Sequence, residues 1–144
     1  MSAGFVTAHL DAIEPIVFDS NDEPDWKPLR HELGVGAFGV NAWRAPNVGD
    51  QAIERHDEAP KKGGANGHEE LYVVVSGAAR FTVDGEELDA PAGTLVFVSD
   101  PDLTREAIAT EPDTTVLVVG AARGVAFEPS DWEVRWLRKL GRLE

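Results

Sequence analysis

The chain is made of short apolar runs that are separated by turn-forming residues at fairly even intervals. Runs such as LYVVVSG (71–77) and TTVLVVG (114–120) are bounded by glycine, proline and acidic residues. Short strands at regular spacing are typical of an all-β sandwich or barrel, whereas strands alternating with helices would indicate a parallel sheet. The pattern therefore predicts an all-β fold, and 144 residues are enough for one compact domain with its own core.

The turn signals place the individual elements. Residues 57–67, DEAPKKGGANG, carry glycines, lysines and a proline without an apolar residue larger than alanine, which predicts a loop. The acidic, proline-containing segment 20–28 predicts a second loop. Asp84-Gly85 lies between two apolar runs and predicts a two-residue hairpin turn. Strands are predicted at 16–18, 35–45, 51–56, 70–77, 79–83, 86–90, 90–98 and 114–120.

Two of these runs are apolar on both faces, which constrains their surroundings. A sheet that is wetted on one side should alternate polar and apolar residues, but residues 71–75 and 115–119 do not. Something must therefore cover the outer face of the sheet. A second subunit is the simplest cover, so we expect a homodimer.

The last fifteen residues have the pattern of a short amphipathic helix. Ser130 and Glu133 have capping-box spacing, and Trp132, Trp136 and Leu140 recur on one helical face. We therefore predict a barrel with an N-terminal arm over 1–129, and a helix over 130–144 that packs on the barrel or on a partner subunit.

Composition excludes several classes of function. Thirteen basic against 26 acidic residues give a formal charge of -13, which repels nucleic acids and anionic membranes. The absence of cysteine excludes disulfides, thiolate metal ligands and a thiol nucleophile. No apolar stretch is long enough to span a bilayer, and the N-terminal residues lack a signal-peptide pattern. We expect a cytoplasmic protein that binds neither nucleic acid nor membrane.

Residues 64–98, GANGHEELYVVVSGAARFTVDGEELDAPAGTLVFV, resemble the core of a cupin. Glu70 and Gly77 have the closing spacing of the first cupin motif, and Gly85, Pro91 and Gly93 match the second motif without a gap. The resemblance implies a double-stranded β-helix, that is, a jelly-roll barrel, followed here by a short C-terminal helix.

The resemblance also implies a metal site, but this sequence departs from the family pattern. Cupins commonly hold a divalent ion with three histidines and one glutamate, and the HxH pair expected before Glu70 is replaced by Gly, Gly, Ala and Asn at 63–66. Where the histidine of the second motif is expected, the chain has Val96 or, further on, Thr104 and Arg105. The metal site is therefore degenerate in its ligands.

Two substitutes for the missing histidines remain open. His68 lies two residues before Glu70, so the period of a strand would point both to the same face. His56 and Glu58 would take the place of HxH if the loop after them has been lengthened. The candidate metal ligands are thus His56, Glu58, His68 and Glu70, a mixed nitrogen and oxygen set suited to one ion of zinc, iron, manganese or nickel.

Three further residues are candidates for contact with a small-molecule ligand. Trp43 and Tyr72 would line the barrel as apolar walls if their strands face inward, and Arg105 would contact an anionic group. Two functions follow. One is a metal-free cupin that binds a small molecule without turnover. The other is a divalent-metal-dependent enzyme, of the dioxygenase or isomerase type, that acts on a small oxygenated substrate.

Overall fold

The computed structural model describes residues 4–19 and 23–143. These residues form a 3₁₀ turn at Leu10–Ala12, which is followed by nine strands and two α-helices. The strands are β1 (Asp25–Lys27), β2 (Gly39–Ala45), β3 (Gln51–His56), β4 (Glu69–Ser76), β5 (Ala78–Val83), β6 (Glu86–Pro91), β7 (Leu95–Val98), β8 (Arg105–Ala109) and β9 (Thr114–Ala121). The helices are α1 (Leu29–Leu33) and α2 (Asp131–Lys139).

The strands form two antiparallel sheets. One has the order β1-β2-β9-β4-β7 and the other β3-β8-β5-β6. Asp84 and Gly85 both have positive φ, of 49° and 82°, and they connect the paired ends of β5 and β6 as the hairpin signal predicts. The predicted all-β double-stranded β-helix with a short C-terminal helix is confirmed.

The space between the sheets is filled by the inward residues of each strand. Along β4, Tyr72 and Val74 are fully buried, whereas their neighbours are partly exposed. The shared core comprises Ala45, Ala52, Ile53, Tyr72, Val74, Ala79, Phe81, Ala90, Val96, Val98, Ala107, Ala109, Val116 and Val118. Small alanines and β-branched residues dominate this core, so the two sheets can approach closely.

Four local predictions differ from the structure. The strand predicted at 90–98 is interrupted at residues 92–94, since β6 ends at Pro91 and β7 begins at Leu95. The strand predicted at 16–18 is only a single bridge between Ile16 and Trp26, and the strand predicted from residue 35 begins at Gly39. The predicted loop 20–28 contains β1, while its residues 20–22 lie outside the described residues. Burial of Trp26 and the hydrogen bond from its indole to Asn41 (2.8 Å) overcome the turn-forming composition of that segment.

The outer face of the five-stranded sheet is covered on one side by the chain itself. Leu29 of α1 packs with Val40 and Ala42 of β2, and Leu10, Ile13, Val35, Leu117 and Val119 surround them. Over β7, none of the described residues provides such a cover, since Leu95 and Phe97 are 65% and 56% exposed.

Helix α2 packs on the barrel of its own chain. Trp132 lies 5.1 Å from Trp26 and 5.9 Å from Trp43, measured between ring centroids, and Leu137 is fully buried. The capping-box spacing does not produce a capping box here: the side chain of Ser130 makes no capping hydrogen bond, and the carboxylate of Glu133 pairs with Arg30. Within the described part of the chain, no helix combines the length and apolarity that crossing a bilayer requires.

Candidate functional site

A cavity of about 370 Å³ opens at one end of the barrel, between the two sheets. Its strand residues include Gly39, Gly120 and Glu70, which lie side by side on β2, β9 and β4. Aromatic rings form much of the wall, and the chain contributes them from distant segments. They are Phe18, Trp43, Tyr72, Phe127, Trp132 and Trp136.

Strand periodicity and two backbone hydrogen bonds position the polar residues of the cavity. Glu70 and Tyr72 alternate with outward residues along β4, and His56 ends β3. Glu58 follows two residues later, where its N–H donates to the carbonyl of Pro101 (2.7 Å) and its carbonyl accepts from Gly67 (2.8 Å). The segment after β3 is thereby fixed against the barrel rather than free in solvent.

These residues form a compact polar cluster. His56 Nε2 lies 3.0 Å from Glu58 Oε2 and 3.6 Å from Glu70 Oε1. The other ring nitrogen, Nδ1, lies 2.7 Å from the carbonyl of Glu54, to which it donates when protonated. The hydroxyl of Tyr72 donates to Glu70 Oε1 at 2.6 Å. One imidazole is thus held between two carboxylates, and a phenol anchors one of them.

The carboxylates determine the protonation of this cluster. Burial opposes the charge of His56, but hydrogen bonds to Glu58 and Glu70 outweigh burial and raise its pKa to about 10. Burial raises the pKa of Glu58. Burial also acts to raise the pKa of Glu70. There, however, the hydrogen bond and charge of His56, together with the hydrogen bond from Tyr72, outweigh burial, so the pKa of Glu70 is lowered. At neutral pH the cluster therefore holds an imidazolium beside an ionised Glu70.

Arg105 lies behind this cluster, inside the barrel. It is fully buried on β8, opposite His56 of β3, and none of its guanidinium nitrogens has a hydrogen-bond partner among the described residues. Its positive charge works to lower the pKa of both Glu58 and Glu70. Arg105 therefore acts as a counter-charge to the two glutamates, and it is absent from the residues that line the cavity.

The structure brings together three of the four residues predicted as metal ligands. One ligand atom from each of His56, Glu58 and Glu70 lies within 4.8 Å of the other two. His68 is buried and lines the same cavity, but its Nε2 lies 3.0 Å from the carbonyl of Glu128. His68 lies just before β4 and, like Glu70, lines the cavity, as the two-residue period of a strand predicts. Its ring, however, is turned toward Glu128 in the segment before α2.

Trp43 and Tyr72 line the cavity, as the sequence predicts for inward strand residues. Trp43 stacks on Trp26 at 6.0 Å between ring centroids. Tyr72 is more than an apolar wall, because its hydroxyl holds Glu70. Glu69, the neighbour of Glu70 on β4, does not line the cavity and pairs with Arg123 (3.0 Å).

The sequence did not indicate that α2 and the loop at 57–67 close the cavity together. Gly63 donates to the carboxylate of Asp131 (2.9 Å) and accepts from Arg135 (2.9 Å), and Asn66 donates to the carbonyl of Glu128 (3.2 Å). Trp132 and Trp136 consequently become cavity walls. The spacing of these two tryptophans predicted that one face of the helix is buried, but it did not indicate that this face lines a cavity.

Glu54 and Glu23 also line the cavity and were not predicted as site residues. Burial and the nearby charge of Glu23 raise the pKa of Glu54. Their contribution makes the rim of the cavity acidic, in agreement with the overall charge of -13.

The cluster fits a divalent cation in donor type and spacing. One imidazole nitrogen and two carboxylate oxygens suit a first-row metal ion, and three protein ligands would leave further positions open to a bound molecule. Metal binding would require His56 to lose its proton, because only the neutral imidazole is a ligand. The same three side chains satisfy one another without a metal, so the geometry accommodates both states.

Comparison with solved structures identifies the architecture. A cupin protein from Bacteroides fragilis matches with a TM-score of 0.55 and 20% identity over 78% of this chain and 87% of the other. A predicted oxalate decarboxylase from Thermotoga maritima gives 0.61 and 16% over 80% and 97%. A sugar phosphate isomerase of a cupin superfamily from Silicibacter pomeroyi gives 0.59 and 22% over 80% and 74%. No family model and no curated protein matches the chain.

Proposed function

We propose that this protein, whose fold is the double-stranded β-helix of the cupins, binds a small oxygenated organic molecule in the cavity of its barrel without converting it. The observation that carries the proposal is the composition of one cavity of about 370 Å³, with aromatic walls and a compact polar cluster. Ligand sites are typically concave, mostly apolar and supplied with a few convergent polar groups.

The cluster indicates which part of the ligand it contacts. Tyr72 and His56 already share Glu70 Oε1, and His56 contacts Glu58 Oε2. Because a carboxylate accepts several hydrogen bonds through its two oxygens, both glutamates have lone pairs left for hydroxyl groups of a ligand. Trp43 and Trp132 would take the less polar face of the same molecule. Arg105 would act on the ligand indirectly, as the charge that balances the glutamates.

A thermal-shift screen tests the proposal, using a library of sugars, sugar acids, short hydroxy acids and aromatic acids. The substitution Glu70→Gln removes a carboxylate of the cavity, and Glu69→Gln is a matched control because that side chain faces outward on the same strand. A ligand at a hundred times its Kd stabilises the folded state by about 2.7 kcal/mol.

We expect at least one compound to raise the Tm of the wild type and of the Glu69→Gln variant, and to raise that of the Glu70→Gln variant much less. A library without any such compound, or a compound that stabilises all three proteins equally, would contradict binding at this cavity.

The second candidate function is a metal-dependent enzyme, and the spacing of His56, Glu58 and Glu70 favours it. A divalent ion held by these residues would polarise an oxygen of a bound molecule. Among the similar structures, one is described as a predicted oxalate decarboxylase and another as a sugar phosphate isomerase, so the substrate class would be small oxygenated compounds.

Elemental analysis of untagged, dialysed protein separates the two candidates. Stoichiometric zinc, iron, manganese or nickel that is lost in a His56→Ala, Glu70→Ala variant would establish the metal site and favour the enzyme. Protein without metal that still binds a compound from the library would support the binding function.

A further inference from the structure

We infer that the ligand of the barrel cavity is a small organic cation, that is, a primary or quaternary ammonium compound. The inference rests on the proposed function, since it names the chemical class of the molecule that the cavity binds. Two features of the cavity support it. Its walls are largely aromatic, and most of its charged side chains are acids.

Carboxylates outnumber basic side chains around the cavity. Among the described residues, six acidic side chains line it, against one lysine and one arginine. An anionic ligand would meet like charges on entering such a cavity, whereas a cation would be attracted. The acids are Glu23, Glu54, Asp57, Glu58, Glu70 and Glu133, and the two bases are Lys61 and Arg135.

Four of these acids have a positive partner within the protein. Asp57 pairs with Lys61, Glu133 pairs with Arg30, and Glu58 and Glu70 share His56.

The other two acids, Glu23 and Glu54, are here called the rim acids. Within the described part of the chain neither makes an ion pair, and their like charges act on each other. Arg135 does not neutralise them, because it is exposed and donates to the carbonyl of Gly63 (2.9 Å). A positive group on a ligand would relieve the repulsion between the rim acids.

The aromatic walls attract the same kind of group. The face of an aromatic ring carries partial negative charge, so a cation packs on it, most favourably on tryptophan. The rings of Trp43 and Trp132 both line the cavity and meet at 42°, with 5.9 Å between their centroids. These two rings, here called the tryptophan corner, can contact one ammonium group together. Trp26 is fully buried and stacks on Trp43 at 6.0 Å, which holds the corner in place.

The wall of the cavity already shows this form of recognition. The guanidinium of Arg30 lies 6.0 Å from the ring centroid of Phe127 and pairs with the carboxylate of Glu133 (2.5 Å). Both Phe127 and Glu133 line the cavity. On another of its rings, Lys139 Nζ lies 4.7 Å from the centroid of Trp136. The tryptophan corner and the rim acids offer a ligand the same combination of aromatic face and carboxylate.

The volume and the polar cluster narrow the class further. A cavity of about 370 Å³ suits a small molecule rather than a peptide. The carboxylates of Glu58 and Glu70 can accept hydrogen bonds from a hydroxyl group, as the proposed function requires. An amino alcohol offers both groups, a hydroxyl for the polar cluster and an ammonium for the tryptophan corner and the rim acids.

Isothermal titration calorimetry with two pairs of compounds tests the inference. Choline is compared with dimethylbutanol, and ethanolamine with propanol, because the second compound of each pair has nearly the same shape but no charge. We expect at least one cation to bind at least about tenfold more tightly than its neutral counterpart. This ratio of affinities reports the recognition of charge separately from the recognition of shape.

Two substitutions locate the recognition in the cavity. Glu54→Gln removes the charge of one rim acid and should lower the ratio about threefold. Glu86→Gln is its matched control, since Glu86 is exposed, carries the same charge and does not line the cavity. Trp132→Leu removes one ring of the tryptophan corner and should also lower the ratio, whereas Trp132→Phe should retain most of it.

A neutral compound that binds as tightly as its cation would overturn the inference. So would a ratio that Glu54→Gln leaves unchanged, or one that Glu86→Gln lowers equally, because the preference would then come from the overall charge of the chain. If no cation binds but a compound of the thermal-shift library does, the inference fails and the proposed function stands. If neither set of compounds binds, both fail.

Discussion

The two ends of the barrel interior differ sharply, although the same strands form both. The residues of β4 whose side chains point into the barrel are Glu70, Tyr72 and Val74. In this order along the strand, the side chains pass from charged to apolar. Along β8, Arg105 is likewise followed by two buried alanines, at 107 and 109. One end, called the open end, thus holds the cavity and its charges. The other, called the closed end, is formed by residues such as Val74, Phe81 and Val116, which do not line the cavity.

Because of this difference, we expect the closed end to contribute mainly to stability and the open end mainly to binding. At the closed end, burial of apolar side chains stabilises the fold, and no charged group has to be removed from water. At the open end, buried Glu58, Glu70 and Arg105 all carry a desolvation cost. Groups retained at such a cost point to function, because apolar residues of similar volume would stabilise the barrel better.

The largest expected effect is at the closed end. Phe81 is fully buried and contacts Tyr72 edge-to-face, with 5.6 Å between ring centroids. We expect Phe81→Ala to lower the free energy of unfolding by about 3–5 kcal/mol, because it leaves a cavity in the packed core. Urea denaturation measures this change. A loss below about 1 kcal/mol would show that the closed end does not hold the barrel together.

A smaller effect is expected at the boundary between the two ends. Tyr72→Phe keeps the ring in the core but removes the hydroxyl that donates to Glu70. Hydrogen bonds to charged groups contribute about 1.5–3 kcal/mol, so we expect a destabilisation in that range. If urea denaturation shows unchanged stability, the phenol does not hold the carboxylate.

The pH dependence of stability tests the open end. The pKa of His56 is raised to about 10 in the folded protein, against an ordinary value of 6.5. Its contribution to stability is therefore complete below pH 6.5 and is lost as the pH rises toward 10. We expect the stability difference between the wild type and the His56→Gln variant to shrink as the pH rises from 6.5 to about 10. A difference that grows with pH would show that the pKa of His56 is not raised in the folded protein.

The sequence predicts the elements whose signals are local. The apolar runs at 71–77 and 114–120 form β4 and β9, and the Asp84-Gly85 turn joins β5 to β6. These features were predictable because they depend on residues that are neighbours in the sequence. β8 was not predicted because REAIA at 105–109 contains no apolar run, and its pairing with β3 and β5 is what makes it a strand. β1 was missed for the same reason.

The candidate site was only partly predictable. The spacing of His56 and Glu58 and the strand period at Glu70 pointed to one face, and the structure brings these three residues together. The orientation of His68 depends on the carbonyl of Glu128, sixty residues away in sequence, so no local pattern could reveal it. The role of α2 as a cavity wall likewise depends on the hydrogen bonds between Gly63 and the helix.

The most direct test of binding at the open end is an NMR titration with a compound found in the thermal-shift screen. Three of the four tryptophans, Trp43, Trp132 and Trp136, line the cavity, so their indole N–H signals report on it. We expect the chemical shifts of these signals to change as compound is added, until the site is saturated. The chemical shifts of the backbone amides of Val74 and Val116 at the closed end should not change. Shifts confined to the closed end or to the outer face of β4 and β7, with unchanged indole signals, would contradict binding in the cavity.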